Sequence, residues 1–93
     1  MARWSVSVES EGDRVLGVDE VVGLADAVAP MGGIASGIGS TRYGAQLIVE
    51  AGDRDAALEQ GRTAFRAAAR AAGLPDGPVV RLDAVGEDED GDA

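Results

Sequence analysis

The sequence predicts one α+β domain, a four-stranded antiparallel sheet carrying two helices on one face. Three observations carry this expectation: runs in which apolar and polar residues strictly alternate, two stretches whose apolar residues recur every three or four positions, and the order of these segments along 93 residues. A chain of this length accommodates one core, and nothing inside it marks a boundary. Residues 1–85 are assigned to the domain and 86–93 to a disordered acidic tail.

From Trp4 to Glu9, Trp4, Val6 and Val8 alternate with Ser5, Ser7 and Glu9, the pattern of a half-buried first strand with Trp4 as a core anchor. Residues 10–17 read as a connection. Val18, Val21, Val22, Ala25, Val28 and Ala29 then share one face of a helix; Asp19 and Glu20 suit its positive N-terminal end, and Pro30, Gly32 and Gly33 stop it. The segment from Met31 to Gly44 holds five glycines in fourteen residues and no helical period. It fits a weak strand near 33–39 and a turn over Gly39 to Arg42.

Residues 43–50 alternate again, with Tyr43, Ala45, Leu47 and Val49 opposed to Gly44, Gln46, Ile48 and Glu50. A second helix follows. Asp53 caps it, Asp55 complements its dipole, and Leu58, Gly61, Phe65, Ala68, Ala69 and Ala72 form its apolar stripe. Gly73 in the left-handed region, with Leu74 folding back and Pro75 beyond, ends it. After a turn, Val80, Leu82 and Ala84 oppose Val79, Arg81, Asp83 and Val85 in a final strand.

This βαββαβ order resembles the ferredoxin-like plait in topology, over nearly the whole chain and without a family motif. Acylphosphatases of that topology rely on an Arg and an Asn, and this chain has no Asn. RNA-recognition domains of similar outline stack bases on aromatics of their central strands, whereas Trp4 and Tyr43 take the core side here. ACT-type regulatory domains share the layout without demanding a catalytic residue.

Composition narrows the chemistry further. The chain has no His, Cys, Lys or Asn, which removes thiolate and imidazole ligands, disulfides and the usual activators of a hydroxyl nucleophile. No catalytic residue, metal site or cofactor is assigned. All eight basic residues are Arg, a bias in keeping with a GC-rich bacterial genome. The net charge is −9; five of the acids, Glu87, Asp88, Glu89, Asp90 and Asp92, lie in the tail and leave −4 elsewhere. An acidic body repels phosphate backbones, so no nucleic-acid partner is expected. With no signal-peptide core or membrane-span run, a cytoplasmic protein is expected.

Three constellations are candidates for function. Gly37, Gly39, Ser40, Thr41, Arg42 and Tyr43 could bring backbone N–H and polar groups to a small-molecule ligand, although glycines here equally serve turns, a bulge or the approach of another chain. Arg62, Arg66 and Arg70 form a ridge on the second helix; Arg62 has acids upstream, while Arg66 and Arg70 have none within reach. Ile48, Val79, Arg81 and Val85 are expected on the uncovered sheet face, more apolar than a solvated face requires. The sequence thus reads as a non-catalytic oligomerising or protein-binding module, a homodimer through the sheet face or a strand edge. The alternative is an ACT-like domain binding a small molecule at the glycine-rich segment and subunit interface.

Overall fold

The computed structural model describes residues 2–37, 39–74 and 77–86. Ile38 and the expected acidic tail beyond Gly86 lie outside them. Along the chain run β1 (Ala2–Glu11), α1 (Val18–Val28), a 3₁₀ turn (Ala29–Met31), β2 (Ile34–Ser36), β3 (Arg42–Ala51), α2 (Arg54–Ala71) and β4 (Val79–Gly86). The strands form a four-stranded sheet in the order β2-β3-β1-β4, antiparallel at every junction. Among the described residues no helix is long and apolar enough to cross a membrane.

The two central strands pair over ten residues each, from Ala2 opposite Ala51 to Glu11 opposite Arg42. Their alternation then sorts side chains between two environments. Trp4, Val6, Val8 and Ser10 of β1 and Tyr43, Ala45 and Leu47 of β3 are buried against the helices. At one end of this layer the Trp4 indole N–H donates to the Ala51 carbonyl at 3.2 Å; at the other, the rings of Tyr43 and Phe65 stack with centroids 5.9 Å apart.

α2 is held by the signals at its ends. Asp53 Oδ1 accepts from the Ala56 N–H at 2.8 Å. At the far end Gly73 takes φ +76°, its N–H donating to the Arg70 carbonyl, and the Leu74 N–H donates to Ala69 as the Leu74 side chain is buried. Between these ends Gly61 lets the helix lie directly on β1: a Cβ at this position would stand 2.8 Å from Val6 Cβ.

α1 departs from its expected face. Val21, Leu24 and Val28 are buried, while Val18 and Val22, expected inside, are 58% and 49% exposed. Gly23 faces α2, where a Cβ would lie 3.6 Å from Ala72 Cβ, and this contact leaves Leu24 pointing into the core. The connection before α1 is also more ordered than the sequence suggests. Leu16 is fully buried, and its backbone exchanges hydrogen bonds with Gly39 and Ser40.

Two further differences concern strands. β2 is only three residues long, because its pairing with β3 ends at Ser36 opposite Gly44. In β4 the register shifts: Arg81 stands opposite Glu9, but Val79 stands opposite Ser10, leaving Val80 as the extra residue of a bulge. Val79, expected on the outer face, therefore packs against the core, and Val80, expected inside, is 48% exposed.

Candidate functional site

The face of the sheet turned away from the helices has no covering layer among the described residues, and its register lays out its surface in rows. One row runs from Ile34 through Gln46 and Ser7 to Asp83, the next from Ser36 through Gly44 and Glu9 to Arg81. A third holds Ile48, Ser5 and Val85. Ile34 is 66% and Val85 40% exposed, whereas Ile48 is half-buried beside Gly32. The apolar groups thus sit toward the two edges and the centre is polar, with Gln46 Nε2 donating to Ser5 Oγ at 2.6 Å.

A groove of about 310 Å³ on this face is lined by Ser7, Glu9, Ile34, Ser36, Gln46 and Arg81. Beside it β3 lies close on β1 at Gly44, where a Cβ would stand 2.5 Å from the Val8 carbonyl oxygen. Around the groove charges pair, Arg81 of β4 with Glu9 of β1 at 3.8 Å and Arg54 at the start of α2 with Asp83 of β4 at 2.7 Å. These pairs are substantially exposed and add little to stability. They do fix where positive and negative groups stand.

The glycine-rich segment is arranged differently from a ligand cradle. Gly37 at φ +132° turns the chain against Tyr43, and a Cβ there would lie 2.9 Å from Tyr43 Cα. The Gly39 N–H donates to Leu16, the Ser40 N–H to Gly37, and the Arg42 N–H to Ser40 Oγ. Thr41 Oγ1 and Arg42 Nη2 both donate to the Glu11 carboxylate, at 2.7 and 3.4 Å. These donors fasten the loop to itself, to β1 and to the β1–α1 connection.

No protein-family model, curated protein or solved structure matches the chain.

The expected site residues divide. Ile48, Arg81 and Val85 share the open face; Val79 does not; Tyr43 is buried beneath the sheet, away from the loop's polar groups. On α2, Arg62 reaches Glu59 at 3.1 Å, while the ridge continues to Arg66 and Arg70. The groove beside Gln46 was missed, since it depends on which strand faces which.

Proposed function

We propose that this protein is a non-catalytic self-associating module, a ferredoxin-like plait that forms a homodimer along the free edge of β4. The strand order, with β1 and β3 central and a helix in each crossover, supports the plait. The observation that carries the dimer is the charge pattern of β4, a strand of eight residues that among the described residues has a neighbour on one side only. Such an edge is a template for another strand unless it is blocked.

Arg81 and Asp83 alternate along the outer face of this edge, each in an exposed pair within the chain, with Glu9 and Arg54, that an opposing copy would share or replace. In an antiparallel two-fold pairing, residues directly opposite share a face. Centring the axis on Leu82 sets Arg81 opposite the partner's Asp83 and Asp83 opposite the partner's Arg81, and brings the half-buried Leu82 beside the partner's Leu82 on the helix side. Centring it on Asp83 would oppose two carboxylates. Between these two registers the charges select the first, and the bulge at Val80 limits how far the ladder runs.

The small-molecule reading at Gly37 to Arg42 draws less support, because the donors it requires are engaged within the fold. A charge-swap experiment tests the dimer. Molar mass by light scattering at high micromolar concentration should give two chains for the natural protein, one for Arg81→Asp or Asp83→Arg, and two again for the double swap. A natural chain that is monomeric, or a dimer indifferent to both single reversals, would overturn the proposal.

A further inference from the structure

A second concavity lies on the opposite side of the sheet, between the C-terminal turns of α2 and the ends of β1 and β3. It encloses about 150 Å³, and its walls include Ser10, Tyr43, Phe65, Leu74, Arg66 and Arg70. Tyr43, Phe65 and Leu74 are buried, and their apolar surfaces form the interior. Ser10, the one buried polar side chain among the described residues, sets a hydroxyl-bearing residue in the same wall. Arg66 and Arg70 are exposed and stand one helical turn apart.

We propose that this cavity binds a small organic monoanion, a carboxylate carried on a compact planar or branched apolar body. The volume supports the body: a cavity of about 150 Å³ lined by apolar side chains accommodates one benzene ring. The rim supports the anionic group. Arg66 already interacts within the fold, whereas Arg70 has no ion pair among the described residues and presents its guanidinium fork to the solvent side. Guanidinium groups bind carboxylates in bidentate geometry. On a chain of net charge −9, two arginines beside an apolar cavity form a local exception that attracts an anion which the rest of the surface repels.

The fold joins here what the sequence holds apart. Tyr43 belongs to the glycine-rich segment, Arg66 and Arg70 to the helix ridge, and Ser10 to the residue just past the alternation of the first strand. Gly73 and Leu74, the stop of α2, complete the wall.

Benzoate is a suitable probe and benzyl alcohol its neutral analogue, titrated into the full chain and followed by amide and side-chain NMR. Benzoate at millimolar concentration should shift Ser10, Ala69 and Leu74 in a saturable manner and leave the Trp4 indole N–H unmoved. That indole lies six residues along β1 from Ser10, roughly 20 Å at strand spacing. Arg70→Gln should weaken benzoate binding about tenfold, the loss of a charge-assisted contact, and leave the response to benzyl alcohol unchanged. Ala69→Leu should abolish both by filling the space. Absence of saturable shifts with benzoate would overturn the proposal. So would equal affinity for the alcohol, or shifts unaffected by Arg66→Gln combined with Arg70→Gln.

Discussion

The two faces of this sheet are built from the same strands and yet obey different rules. On the helix side, Val6, Val8 and Leu47 are fully buried and have no room to move. On the open side, a residue away, Ser5, Ser7 and Gln46 meet water, and the ordering elements are hydrogen bonds and exposed ion pairs. Close packing resists any change of volume, whereas solvated pairs tolerate it. Stability should therefore depend almost wholly on the first face, and partner choice on the second.

The largest expected effect comes from removing the ring that joins α2 to β3. Phe65 is 1% exposed and stacks on Tyr43. Phe65→Ala should cost about 3–5 kcal/mol, read as a fall in the urea midpoint at unchanged m-value. If the loss were below about 1 kcal/mol, the contrast between the faces would fail. Gly61→Ala should come next. Alanine favours a helix over glycine by about 1 kcal/mol, but Val6 is fully buried at the point where the new methyl would stand. Overpacking of this kind costs about 1–3 kcal/mol, so a net loss is expected. A stabilised variant would show that α2 can lift from β1.

The legibility of the two helices follows the same physics. α2 was readable in the sequence because each of its parts makes a distinct demand: Asp53 caps it, Phe65 needs a large site, and Gly73 with Leu74 ends it in one geometry. α1 offers mostly Val and Ala of similar size on several sides, so its pattern admits more than one inward face. Tertiary contacts, among them that of Gly23 with Ala72, decide between them. The strands show the same limit. The inward sets of β1 and β3 follow from alternation, but the bulge that turns Val79 inward depends on the pairing of β4 with β1. Of the candidate sites, the outer positions Ile48, Arg81 and Val85 were legible from parity alone. The cavity was not, because Ser10, Tyr43 and Arg70 are brought together only by the sheet register and the helix stop.

On the open face the effects should be small. Ile34 is 66% exposed on the short edge strand, and Ile34→Ser should change stability by no more than about 0.5 kcal/mol. A thermal melt in the Arg81→Asp background, which is expected to be monomeric, would isolate this from association. A loss comparable with that of Phe65→Ala would mean that Ile34 is covered by something other than solvent.

The smallest expected effect is electrostatic and lies at the start of α1. The Glu20 carboxyl is held below the ordinary carboxylate range, first by the Arg14 guanidinium that hydrogen-bonds to it and second by the Gly17 N–H, which donates at 3.1 Å. A carboxyl whose folded pKa is depressed binds its proton less readily in the native state than in the unfolded one. The stability it contributes is thus fully present above its unfolded pKa and is lost as pH falls through the lower, folded value. Glu20→Gln keeps an acceptor for Gly17 but removes the charge facing Arg14. Its deficit against the natural chain should be seen at neutral pH, close in acid, and shrink with added salt because the group is solvent-exposed. A deficit independent of both pH and salt would assign the role of Glu20 to helix geometry alone. The start of α1 would then belong, like the inner face of the sheet, to the part of the molecule governed by shape.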